Sequence, residues 1–289
     1  MDKEKITRAI EIAEKVKEYA EEIVKPNIPL LDIAEKIEKK ISSFDGAKPA
    51  FPVNLCINEV AAHCTPSYRD KTPASGLIKV DFGVSVDGWV ADWAFPKDLA
   101  NSELNKNLIA TSGAALVAAE NIGLKPGVST NEIGTAISKA IENRGFVPIV
   151  NLSGHSIERH NLHAGVTIPN INDERDTKLK EGLYAIEPFV TESGAAGRVR
   201  DGKPSGIYSL QDSKKPRSQL AREALSFIES EYKTLPFCSR WLIEKLGPNS
   251  ALALRELESQ GIIHQYNQLV EASGAIVSQN EKTFLIKKD

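Results

Sequence analysis

The sequence predicts an α+β fold of two similar halves facing each other around a shared cleft, with a helical subdomain inserted before the closing strands. Three observations predict it. The helix-helix-strand order of residues 6–81 recurs about one hundred residues further along the chain. Each copy carries a carboxylate at the end of an apolar strand, Asp81 in the first and Glu187 in the second. Between Gly194 and Asn267 that order gives way to three short amphipathic helical stretches.

The elements follow in order. Ile6, Ile10, Ala13, Val16, Ala20 and Ile23 form an apolar stripe on a Lys/Glu-rich background, the pattern of an amphipathic helix, and Lys25-Pro26 stops it. A second helix runs from Leu31 to Ile41 with Ile33, Ile37 and Ile41 on one face, and Phe44-Asp45-Gly46 with Pro49 then turns the chain. In the second copy Leu124-Lys125-Pro126 aligns with Val24-Lys25-Pro26, and Ile133, Ile137, Lys139 and Ile141 repeat Ile33, Ile37, Lys39 and Ile41. Pro52-Val53-Asn54-Leu55 is echoed by Ile149-Val150-Asn151-Leu152, and Gly76 to Asp81 by Gly182 to Glu187. Matches in the same order at several points imply a duplication.

The insertion carries helices near Leu220–Tyr232, Ser239–Leu246 and Asn249–Gln260. Helices followed by strands suggest a winged-helix-like module, yet acidic and basic residues nearly balance over 211–260, which leaves no basic face for DNA and favours a structural cap. The domain reading is therefore a catalytic unit of 1–194 and 268–289 with an inserted helical subdomain at 195–267. Strands near Glu271–Gln279 and Thr283–Lys287 close the chain.

The 289 residues include 36 Lys+Arg and 39 Asp+Glu, a formal charge of -3, and are 41% hydrophobic. Such a chain has enough apolar content to bury a core and no electrostatic footprint for nucleic acid or anionic membrane. The start, Met1-Asp2-Lys3-Glu4-Lys5, lacks the apolar run of a signal peptide, and no stretch has the length of a membrane span, so a cytoplasmic protein is expected. Three Cys without CxxC spacing indicate neither a disulfide framework nor a thiolate zinc site.

The chemistry gathers around carboxylates. Asp87-Gly88 between apolar runs signals a two-residue hairpin turn, which sets Val86 opposite Trp89 and Gly83 opposite Asp92. Asp81 then lies on the same face as Asp92, diagonally across at about 7–8 Å between backbones. Two carboxylates that close repel unless a proton or cation lies between them, and small Gly83 leaves space for one. Three of the five His, at 155, 160 and 163, fall in Gly154–Gly165, beside glycines that permit close backbone approach. Glu187 in Ala185-Ile186-Glu187-Pro188 and Glu281 after the last loop add two more carboxylates in apolar surroundings. A carboxylate-rich set with one imidazole suits two divalent ions better than a structural zinc.

At this point the residues resemble a known family. Phe51-Pro52-Val53-Asn54, Asn58 to His63, Val80-Asp81-Phe82-Gly83 with Ala91-Asp92, Gly154-His155-Ser156-Ile157, Leu162-His163-Ala164-Gly165, Ala185-Ile186-Glu187 and Ser278-Gln279-Asn280-Glu281 are together similar to methionine aminopeptidases of type 2 in their short archaeal form. The resemblance covers nearly the whole chain and implies the pita-bread fold, with the helical insertion typical of type 2. It implies a dinuclear site holding Co, Mn, Fe(II) or Zn. Asp81 would bind one ion, His155 and Glu187 the other, and Asp92 and Glu281 would bridge. His63, His163 and Glu187 would be catalytic, and Phe51, His63, Leu162, His163 and Tyr266 would receive the substrate. Cys64, where Tyr commonly follows the His63 position, and Lys282, where His commonly follows the last ligand, depart from the family pattern without removing a ligand.

The implied reaction removes the N-terminal methionine of nascent proteins and peptides, preferring a small second residue, by two-metal activation of a bridging water. A monomer is expected, with nascent polypeptides as substrates, the ribosome as a candidate partner, and neither nucleic acid nor membrane. One rival is a proline-directed peptidase of the same fold, although such enzymes usually carry a large domain ahead of a repeat that here starts at residue 1. The other is a non-catalytic binding protein on the same scaffold, which would lack ligands that this sequence retains. His160 and His264 are read as bystanders.

Overall fold

A strand at Glu281–Ile286, β14, joins the two halves, and the order of elements explains how. The computed structural model describes residues 1–174 and 176–288. The first half runs α1 (Lys3–Ile23), α2 (Leu30–Ser42), β1 (Ala47–Ile57), β2 (Val60–Ala62), β3 (Leu77–Val86) and β4 (Trp89–Asp98). The second runs α3 (Glu103–Glu120), α4 (Thr130–Glu142), β5 (Val147–Pro148), β6 (Ser153–Ile157), β7 (Thr167–Pro169), β8 (Gly182–Ile186) and β9 (Phe189–Thr191). The insertion follows as β10 (Val199–Leu210), α5 (Gln219–Glu231), β11 (Phe237–Cys238), α6 (Ser239–Leu246), α7 (Ser250–Ser259) and β12 (Ile263–Glu271), and β13 (Val277–Gln279) and β14 (Glu281–Ile286) complete the chain.

The seven-stranded sheet has the order β1-β3-β4-β14-β8-β6-β7. The halves therefore meet edge to edge at β4 and β14, with Glu281 opposite Ala94 and Lys282 opposite Trp93. Thr283 fastens the seam: its Oγ1 accepts from the Asp92 amide at 2.7 Å and donates to the Asp92 carbonyl at 3.0 Å. Side-chain oxygens of Asp2, Ser102, Ser129 and Ser218 cap the N-termini of α1, α3, α4 and α5, each worth about 1 kcal/mol.

Strand alternation sorts the two faces of the sheet. Val80, Phe82, Val84 and Val86 of β3 pack with the apolar stripes of α1 and α2, which turns Asp81, Gly83 and Ser85 the other way. In the second half Tyr184 and Ile186 of β8 pack with α3 and α4. Leu183 and Ala185 join Phe51 and Leu162 on the opposite face, and Glu187 continues that alternation. The helices thus cover one face, and the carboxylates collect on the other.

The insertion builds its own sheet, β11-β10-β12-β2, with α5 to α7 packed into a separate apolar cluster. Its last strand pairs with β2 of the first half, Leu269 opposite Ala62, beside His63. At its other side the buried Arg240 of α6 forks onto the Glu38 carboxylate of α2 at 2.7 and 2.8 Å.

The structure departs from the simple sequence pattern at three places. The strand expected over Glu271–Gln279 is two strands, β12 and β13, separated by a turn at Ala272-Ser273 after which Gly274 adopts φ +83°. The Glu271 carboxylate forms that turn by accepting from the amides of Ser273 and Ala275, and from Gly197 across the way. Ile149–Leu152, which echoes part of β1, is a turn rather than a strand, because the Asn151 amide bonds both backbone groups of Val199 at 2.8 Å. The room beside Gly83 is not open for a cation: a Cβ there would come within 2.4 Å of the Phe51 ring. Gly83 makes space for the aromatic instead.

Candidate metal centre

The hairpin of β3 and β4 has the expected register, with Val86 opposite Trp89 and Gly83 opposite Asp92. Asp81 and Asp92 therefore project from neighbouring strands of the first half. His155 comes from β6, where Gly154 lets the strand sit against β8 so closely that a Cβ would lie 2.3 Å from the Ala185 carbonyl. Glu187 follows β8 directly, and Glu281 opens β14. The seam between halves thus brings carboxylates from both copies to one point.

Asp92, His155 and Glu281 each offer a ligand atom within 4.8 Å of the other two. His155 Nε2 lies 3.6 Å from Asp92 Oδ2 and 3.9 Å from Glu187 Oε1. Its Nδ1 faces the Ser156 carbonyl at 3.4 Å, so the ring proton sits there and Nε2 keeps its lone pair for a metal. Among the described residues, Asp81 Oδ1 and Asp92 Oδ1 are buried acceptors with no hydrogen-bond partner.

Electrostatics say the same. Burial pushes the Asp81 carboxyl up to about 7. Burial and then the neighbouring carboxylates raise Asp92, Glu187 and Glu281 well above the ordinary range. Burial pulls His155 down to about 3, with His163 adding to the effect, and His163 down to about 4, with His63 adding to it. Four carboxyls crowded out of water beside neutral imidazoles hold their protons unless a cation lies between them. Oxygen-rich donors with one imidazole nitrogen fit divalent cations.

The centre lines a cavity of about 80 Å³. Every residue assigned to the site from the sequence lines it: Phe51, His63, Asp81, Asp92, His155, Leu162, His163, Glu187, Tyr266 and Glu281. His163 packs edge-on to His155 with ring centroids 4.3 Å apart. His63, held at φ +57°, sets Nδ1 3.2 Å from the Asn267 carbonyl and packs against the Tyr266 ring. Ile207 and Pro236 of the insertion also line the cavity, as do Pro52, Asn54, Ala62 and Gln279. Sequence reading did not assign Ile207 and Pro236 to the site, since both are ordinary apolar positions far along the chain. Gln279 was visible only as part of a motif.

The bystanders stay outside. His160 Nε2 approaches Lys233 Nζ at 3.2 Å beside Gly88, and exposed His264 packs edge-on to Tyr266. Cys64 Sγ accepts from Gln268 at 3.3 Å, and the Lys282 ammonium sits over the rings of Trp93 and Phe284. Neither departure from the family pattern reaches the cavity.

Residues 4–219 match the description of metallopeptidase family M24. The methionine aminopeptidase of Pyrococcus abyssi is 44% identical over 294 residues, covering 100% of this chain and 98% of that one. The chain belongs to the methionine aminopeptidases of family M24. The methionine aminopeptidase of Rickettsia prowazekii superposes with TM-score 0.68 at 19% identity, over 99% of this chain and 93% of that one. A thermophilic Arx1 superposes with TM-score 0.81 at 16% identity, over 96% and 86%. At these identities the likeness establishes the M24 pita-bread fold. Among the described residues no helix is long and apolar enough to cross a membrane.

Proposed function

We propose that this chain hydrolyses the first peptide bond of polypeptides that begin with methionine, using two divalent ions held by Asp81, Asp92, His155, Glu187 and Glu281. The observation that carries the reading is the cavity itself: an acidic floor from both halves, beside an apolar wall of Phe51, Leu162, Ile207, Pro236 and Tyr266. Such a wall suits an unbranched, polarisable side chain. We assign Asp81 to one ion, His155 and Glu187 to the other, and Asp92 and Glu281 to both.

When bound, divalent ions lower the pKa of a water towards neutrality and polarise the scissile carbonyl. The protein does the rest. Glu187 takes the proton of the attacking water and passes it to the leaving nitrogen. His163, held neutral by burial, donates one ring N–H to the carbonyl oxygen as it gains charge. With its Nδ1 proton directed at the Asn267 carbonyl, His63 presents the Nε2 lone pair, which accepts from the scissile amide N–H and orients it. The acidic floor receives the free α-amino group, so only a terminal residue is removed.

The second-residue preference, the cytoplasmic setting, the ribosome as partner and the boundaries of the insertion at 195–267 belong to the same proposal. A panel of Met-Ala-Ser, Met-Asp-Ser and Ala-Pro peptides tests it across Mn(II), Co(II), Fe(II) and Zn(II). Cleavage confined to Met-Ala-Ser is expected. Preferential cleavage of Ala-Pro would support the proline-directed reading, and no cleavage of any peptide the binding-protein reading.

A further inference from the structure

Glu187 and Glu281 reach the centre from different segments, and both carry the same charge. Gln279, the last residue of β13, stands between them and is 2% exposed. Its Nε2 lies 3.1 Å from Glu281 Oε2 and 3.4 Å from Glu187 Oε2. Among the described residues no other side chain donates to either carboxylate. One amide nitrogen has two N–H groups, so it can serve both acceptors at once.

The backbone around Gln279 is fixed on every side. Gln279 is registered opposite Phe189 of β9, and the Asn280 amide donates to the Pro188 carbonyl at 3.3 Å, which ties the segment bearing Glu187 to the one bearing Glu281. On the flanks, Ser278 Oγ and Asn280 Nδ2 both meet Ser112 Oγ of α3 at 2.8 Å. A buried, clamped side chain of this kind holds whatever it bonds.

The consequence is a choice of oxygen. Gln279 takes Oε2 of each glutamate, which leaves Oε1 of Glu187 facing His155 Nε2 at 3.9 Å and Oε1 of Glu281 unengaged by the amide. We infer that Gln279 is a positioning residue for the metal centre, selecting the carboxylate oxygens that Glu187 and Glu281 present to the ions. A lysine in its place would bring a cation of its own into the floor. A glutamate would add another anion. The neutral amide does neither, so it orients the ligands without competing with the ions or adding to the repulsion. This inference rests on the ligand set assigned above.

The test is Gln279→Met, which keeps the length and bulk of the side chain but removes its donors. Mn(II) is titrated calorimetrically into the full-length chain, wild type and variant, after chelation and dialysis, and the Co(II) absorption spectra of both are compared. Expected are a loss of Mn(II) affinity of about tenfold or more, an altered Co(II) spectrum, and metal-free unfolding temperatures that agree. Affinity within about twofold of wild type, or an unchanged Co(II) spectrum, overturns the inference, since loss of an orienting bond must move both. Weaker binding matched by an equal fall in metal-free stability also overturns it, because Gln279 would then serve the fold alone. A wild type that binds neither ion refutes the ligand set itself, and the inference with it.

Discussion

Replacing Arg240 by methionine tests how the insertion is held over the substrate pocket. The Glu38 carboxylate accepts from both terminal guanidinium nitrogens of Arg240 at 2.7 and 2.8 Å, from Trp241 Nε1 at 2.9 Å and from the Val53 amide at 3.2 Å. Arg240 is 1% exposed and Glu38 8%, so water cannot take over the charge left behind. Breaking a buried pair from one side costs about 3–5 kcal/mol, because the partner stays buried and uncompensated. At roughly 2–4 °C per kcal/mol for a large domain, unfolding should move down by about 10 °C. Adding Glu38→Gln removes the stranded charge yet keeps an acceptor for Val53, while Trp241 Nε1 and the new amide N–H groups lose acceptors, so the double variant should recover only part of the loss and stay more stable than the single. Ile207 and Pro236 belong to the insertion while all the assigned ligands lie outside it. Thermal melts and peptide kinetics on Arg240→Met should therefore show KM raised a few-fold with kcat held within about twofold. A cost under about 1 kcal/mol, or a double variant less stable than the single, would refute the pair's role.

Two further outcomes follow from the centre. His155→Ala should bind one ion fewer by elemental analysis and lose most activity, whereas His163→Ala should keep its ions and lose about 10²–10³ in kcat; equal metal loss in both would contradict the separate roles. In chelator, stability should fall as pH rises from 6.5 to 8.5. When folded, Asp81 titrates at about 7 and burial holds Asp92, Glu187 and Glu281 well above the ordinary carboxylate range, so the folded chain binds more protons than the unfolded one there. Below 6.5 the depressed His63, His155 and His163 oppose this slope, since their neutral form is lost as the unfolded state gains protons. Urea melts in that upper window check it, and rising stability would show the carboxyls to be ionised without a cation.

Much of this was legible in the chain. The Asp87-Gly88 turn set the register of β3 and β4, and with it the common face of Asp81 and Asp92, because a two-residue loop leaves one pairing open. The repeated Ile spacing marked α2 and α4, and the motifs around His155, Glu187 and Glu281 marked the floor of the pocket. What stayed hidden depends on partners distant in sequence. Local periodicity cannot say that β14 would enter between β4 and β8, that Arg240 would find Glu38, or that Gln279 would lie between two glutamates. Gly83 follows the same rule: an empty side chain shows that something approaches, and only the fold shows that it is Phe51.

The proposed function requires that ions on this floor drive removal of terminal methionine. Its most direct test is hydrolysis of Met-Ala-Ser by the chelated chain before and after stoichiometric Mn(II) or Co(II). Expected are no turnover without the ion and release of free methionine when it returns. Full activity after exhaustive chelation, or metal-restored cleavage at an internal bond instead of the first, would contradict it.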